Sequence, residues 1–118
     1  MKVSKHKFQE LIDRIKSGAL SWEELAELSW HEAQGVRGVA ILEISRAFPE
    51  ELRTIELLHS LALDDANQRD RLFGLTSLAQ ICTKLLDKME SAAARNAVKE
   101  ITATWSDIDL SDFERIDL

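Results

Sequence analysis

The chain has one cysteine, one proline, four glycines and no tyrosine among its 118 residues. A lone Cys82 can neither staple its own chain nor build a thiolate zinc site, so a disulfide framework is excluded and a reducing, cytoplasmic setting is expected. No long apolar run is present: Gly38–Leu42 is the longest, far short of the roughly 20 residues a membrane span needs. The early lysines Lys2, Lys5 and Lys7 lead into Glu10, Asp13 and Arg14 rather than an apolar stretch, so no signal peptide is expected. Positive charge is in deficit, with 15 Lys plus Arg against 21 Asp plus Glu. A net charge of −6 argues against a phosphate-backbone ligand and favours a cationic protein partner, which an acidic surface steers.

What is present is helical periodicity. Phe8, Leu11, Ile12 and Ile15 share one face of a helix expected over 5–17, and Gly18 supplies a left-handed stop. Ser21-Trp22-Glu23-Glu24 has the form of a capping box and opens a second helix that fades by His31 to Gly35. From Val36 to Phe48 apolar residues occupy too many positions for a one-sided surface helix, which predicts a central, packed element. Pro49 suits the first turn of a fourth helix reaching Leu63, with Glu50 and Glu51 at its positive end. Asp65 is then placed to cap, with Gln68 as its reciprocal partner, a fifth helix carrying Leu72, Leu75, Leu78, Cys82 and Leu86. A closing helix over 89–105 and an acidic tail over 106–118 complete a single all-α domain of about six helices.

Two segments, Gln34–Ile44 and Gln68–Leu78, align at an offset of 34 residues, each with Gln, an Arg three positions on, a small residue and then apolar residues. Such an offset marks stacked helical hairpins. Asp64–Leu75, with its acidic turn, arginine and small-apolar pair, resembles the turn and second helix of a HEAT-type repeat, and the segment ending at Ile44 resembles a weaker copy. The resemblance spans residues 21–86 and implies a short right-handed stack of antiparallel hairpins.

Chemistry-bearing patterns are sparse. His31-Glu32-Ala33-Gln34-Gly35 begins like a two-histidine zinc helix but has Gly35 where the second imidazole belongs. His6 and His59 are isolated, Cys82 falls at a core position, and the glycines match no phosphate loop or dinucleotide fingerprint. Glu23 and Glu27 share a helix face, a pairing general acid–base chemistry can use, but such carboxylates are far more commonly solvated helix surface. No catalytic residue, metal or cofactor is expected, and since stacked helical hairpins offer an extended surface, the leading expectation is a non-enzymatic protein-binding module. Contacts are expected from solvent-side positions Glu43, Arg46, Ser77, Gln80 and Lys84, from Trp30 as an exposed anchor, and from Asp107, Asp109, Asp112 and Glu114 of the tail. Residues 106–118 carry a net −4 and residues 1–18 a net +3. Ser111 is placed to cap a short last helix, with Phe113, Ile116 and Leu118 either closing the core or free for a partner.

A small, acidic, all-helical chain of this kind resembles the immunity proteins of bacterial toxin systems, including contact-dependent growth inhibition. That resemblance implies direct neutralisation of a basic, nuclease-type toxin. The competing expectations are a lyase-like helical-repeat enzyme or accessory subunit, which requires a ligand cleft with perturbed ionisable groups, and a homo-oligomeric adaptor packed through Trp30 and the apolar residues of the tail.

Overall fold

A computed structural model of the chain describes the backbone of residues 5–72 and 76–116, and side chains over 9–70 and 76–116. It is all-α, with eight helices and a single two-residue antiparallel pairing among the described residues. The helices fall into two compact units, residues up to Phe48 and residues from Pro49 onward.

The first unit contains α1 (Lys5–Lys16), α2 (Trp22–Leu28) and α3 (Gln34–Ala47), and α3 packs on both of the others. Gly18 ends α1 in the left-handed region at φ 77°, where a residue with a Cβ is disfavoured. Ser21 and Glu24 form the expected capping box: Glu24 N–H donates to the serine Oγ and Ser21 N–H donates to a glutamate oxygen, both at 3.2 Å. The Ser21 backbone N–H, then its hydroxyl, with Arg14 adding attraction, hold the Glu24 carboxyl below the ordinary glutamate value. A carboxyl with a depressed folded pKa contributes stability above its unfolded pKa and loses it as pH falls through the folded value. Glu24→Gln should therefore lower the thermal midpoint at neutral pH, and its gap to the parent chain should close on acidification through the glutamate range. A gap that widens in acid would refute this account of the cap.

α3 has buried residues on several sides, including Val36, Ala40, Ile41 and Ile44, as the dense apolar pattern requires. It begins at Gln34, two residues before the expected Val36, behind an N-cap, Ala33, that makes no side-chain cap. The loop before it is held from inside instead. The buried Arg37 donates through Nη1 to the carbonyls of His31 and Glu32, both at 3.1 Å, and His31 Nδ1 accepts the Ala33 N–H at 2.9 Å.

The second unit contains α4 (Leu52–Leu63), α5 (Asp65–Arg69), β1 (Arg71–Leu72), β2 (Thr76–Ser77), α6 (Leu78–Asp87), α7 (Ala92–Thr102) and α8 (Asp107–Glu114). α6 is packed against α4, α5 and α7, and α4 also contacts α5 and α7. Leu58, Leu61, Leu78, Ile81, Leu86 and Ile101 are fully buried, each contributing about 1.5–3 kcal/mol of apolar transfer energy. Cys82 lies in the same interior.

Several local expectations are corrected here. α4 starts at Leu52, because Glu51 is its extended N-cap residue and Pro49 and Glu50 form a turn ahead of it. Asp64, not Asp65, caps α5, accepting the Asn67 N–H at 3.2 Å. The continuous fifth helix does not form. α5 stops at the extended Asp70, β1 and β2 pair, and a new helix starts from a second capping box, Ser77 with Gln80. Leu78 N–H donates to the Asp70 carbonyl at 3.0 Å and closes the break. This division, with α8 in place of a tail, raises the helix total from about six to eight among the described residues. It also separates the two aligned segments: residues 34–44 lie in one helix, while residues 68–78 run from the end of α5 through β1 and β2 to the start of α6. Phe73, Gly74 and Leu75 of that alignment lie outside the described residues.

Candidate protein-binding surface

The sequence around α8 supplies three devices that place it. Ser106 caps it, its Oγ accepting the Asp109 N–H at 3.2 Å, and Asp107 and Asp109 lie in the first turn where the helix dipole favours negative charge. Ser111, the expected cap, lies inside the helix. Phe113 is buried, its ring edge-on to Trp105 with centroids 5.3 Å apart and planes at 76°. The Lys84 ammonium sits over the same phenylalanine ring, 4.7 Å from its centroid. Gln80 Nε2 adds a longer contact to the Asp109 carbonyl at 3.4 Å. Residues 107–114 of the acidic C-terminal segment thus form a docked helix, with Phe113 as its anchor.

Docking decides which residues face solvent. At about 100° per residue, Ile108 lies roughly 140° around the helix from Phe113. Ile108 is 74% exposed, flanked by Asp107 and Asp109 in sequence and by Asp112 one turn on. Asp107, Asp112 and Glu114 are exposed and Asp109 is half-buried. Arg115 Nη1 lies 3.9 Å from Asp112 Oδ1, an exposed contact of the kind that contributes little energy. The product is an apolar tip ringed by carboxylates. Ile108 is not among the expected contact residues; a helix frame that starts from Ser106 instead of Ser111 points it outward.

The remaining expected contact residues divide. Ser77 and Gln80 are not solvent-side: both are buried, and their side chains cap α6, with Ser77 N–H donating to Gln80 Oε1 at 3.0 Å and Gln80 N–H to Ser77 Oγ at 3.1 Å. Glu43 is likewise corrected to a largely buried position, where its carboxylate accepts both Nε and Nη2 of Arg46 in a bidentate pair; Arg46 itself is exposed. Lys84 is half-buried by its contact with Phe113. Trp30 is 48% exposed.

A cleft of about 140 Å³ lies beside α8, lined by Gln68, Ser77, Ala79, Gln80, Thr104, Trp105 and Asp109. Its volume is well below the roughly 300–1,000 Å³ of typical small-molecule sites. Two of its polar side chains are directed into local structure, the Thr104 hydroxyl donating to the Ile101 carbonyl at 3.0 Å and the Gln68 amide to the Ala62 carbonyl at 3.4 Å. Cys82 is fully buried, and burial pushes its thiol pKa far up, away from the thiolate that nucleophilic chemistry requires. His59 Nε2 lies 3.2 Å from a Glu100 carboxylate oxygen, and among the described residues no group of three or more His, Cys, Asp or Glu is arranged to hold a metal ion. Among these residues also, no helix is long and apolar enough to cross a membrane. Comparison with models of protein families, with characterised proteins and with solved structures produced no match.

Proposed function

We propose that this chain is a non-catalytic, cytoplasmic protein-binding module that recognises a basic protein, and more specifically that it neutralises a basic, nuclease-type toxin as an immunity protein. The observation that carries the reading is the α8 face, where exposed Ile108 stands among Asp107, Asp109 and Asp112 on a helix anchored through Phe113. Carboxylates at such a rim accelerate encounter with a cationic surface, and a central aliphatic side chain supplies the desolvated contact that slows dissociation. A helix already ordered before binding also avoids the conformational cost of folding on the partner. The toxin identification rests in addition on the resemblance in size, charge and helical content described above.

The test is direct. The protein should form a one-to-one complex with the toxic product of a neighbouring gene and abolish its activity, and full activity at saturating concentrations of this chain would remove the toxin identification. In the complex, the double variant Asp107→Lys, Asp112→Lys should slow association by roughly tenfold, with the larger loss at low salt. An on-rate that is unchanged at every ionic strength would exclude α8 from the interface.

A further inference from the structure

A second hollow lies in the first unit, between α1 and α2, with a volume of about 190 Å³. Leu11, Leu20 and Leu28 form its apolar lining, and Arg14, Glu24 and Glu27 its charged rim. A cavity of about 150 Å³ with apolar walls accommodates a benzene-sized group, so the space suits one large aliphatic or aromatic side chain. One arginine against two glutamates gives the rim a net charge of −1. Arg14, the one cation of this lining, lies 3.8 Å from Glu24, whose carboxyl Ser21 holds below the ordinary glutamate value. α2 itself carries Glu23, Glu24 and Glu27 and no basic residue. Immediately past its end, the backbone N–H of the half-exposed Trp30 donates to the Glu27 carbonyl at 3.1 Å. An exposed tryptophan offers a cation its ring face.

We infer that the α1–α2 hollow, with Glu27 on its rim and Trp30 just past the end of α2, is a second docking surface, which takes an aliphatic side chain from a protein partner next to a lysine or arginine. The inference rests on the partner being basic, but it uses none of the α8 residues. An acidic occupant is disfavoured by the rim, and a second copy presenting its own Ile108 would bring Asp107 and Asp109 toward Glu24 and Glu27. The leucines select for an apolar group, the glutamates for the neighbouring cation, and tryptophan is among the side chains that most often dominate interface energies.

The probe is a short peptide alternating lysine and leucine, titrated into the full chain carrying labelled leucine and isoleucine methyls and a labelled tryptophan indole. Saturable shifts are expected at Leu11, Leu20, Leu28 and Trp30. A lysine–serine peptide and a glutamate–leucine peptide should leave these four signals unmoved. Glu27→Lys should weaken the lysine–leucine peptide roughly fivefold at the parent chain's thermal midpoint, and Trp30→Ala roughly tenfold. The double variant Asp107→Lys, Asp112→Lys should abolish any response at Ile108 and preserve the response of the hollow. Shifts confined to Ile108 would overturn the second surface and leave the basic-partner reading of α8 intact. Equal response to the glutamate–leucine peptide, or no saturable shift at the four positions, would also overturn it.

Discussion

Phe113→Ala should release α8 while the rest of its unit stays folded. Truncating a buried phenylalanine to alanine costs about 3–5 kcal/mol, and here the lost contacts are the ones that hold a terminal helix. They are the edge-on packing on Trp105 and the Lys84 ammonium over the ring. What remains between α8 and α6 includes the 3.4 Å contact of Gln80 with the Asp109 carbonyl, which is too weak to compensate. An isolated helix of eight residues is below the length that persists in water, so undocking and unfolding of α8 become the same event. Hydrogen exchange should therefore show protection lost over residues 107–114 and retained in α4 and α6, and Trp105 emission should shift toward that of a solvated indole. Phe113→Leu, which keeps much of the apolar volume, should recover most of the protection. Binding supplies the functional counterpart: Phe113→Ala keeps every acidic residue of α8, yet should lose affinity for a basic partner because ordering the helix is charged against association. Retained exchange protection in Phe113→Ala would show that α8 is held by something other than this ring.

The second large effect is expected at Glu50, which has a left-handed backbone at φ 62°. For a residue with a Cβ that conformation costs about 1–2 kcal/mol. It is maintained because the side chain reaches the α6–α7 loop, where its carboxylate accepts the Glu90 N–H at 2.8 Å and the Ser91 N–H at 3.3 Å. Ser91 is the N-cap of α7, so the same carboxylate also places negative charge at that helix's positive end. Hydrogen bonds to a charged group are stronger than neutral ones, and because both partners are exposed, Glu50→Ala should destabilise by about 2 kcal/mol. Glu50→Gly loses the same bonds but relieves the left-handed strain, so it should be roughly 1 kcal/mol less harmful than alanine. Glu50→Gln, which keeps the length and one acceptor, should fall between alanine and the parent chain. Urea denaturation midpoints order the series. A glycine variant less stable than the alanine variant would contradict the strained-backbone account, and a neutral alanine variant would show that the bridge adds nothing.

Much of the helical framework is legible from the amino-acid sequence. The α1 span with its Gly18 stop, the Ser21–Glu24 box, the central packed character of α3 and the end of α4 at Leu63 all follow from signals within a few residues of one another. Ser77 and Gln80 carry the same kind of signal as Ser21 and Glu24. It is masked because Leu72, Leu75, Leu78, Cys82 and Leu86 keep helical spacing straight through the break, and apolar periodicity cannot distinguish one long helix from two short ones meeting the same core. The alignment at 34 residues fails as a guide to secondary structure for the same reason. It matches side-chain types, while the backbone of the second segment is redirected by Asp70 and the Ser77 cap.

Residues one turn apart are enough to specify an all-α chain, most of its helix positions, a core placement for Cys82 and an excess of negative charge at the C-terminal end, because helix formation and capping are local. Long-range packing sets the rest: the acidic end is a docked helix, Ile108 and its neighbouring carboxylates face outward, and Glu43, Ser77 and Gln80 are withdrawn from the surface. The reason is distance along the chain. Phe113 takes its place from Lys84, and Glu50 finds its partners at Glu90 and Ser91, through contacts that no window of a few turns contains.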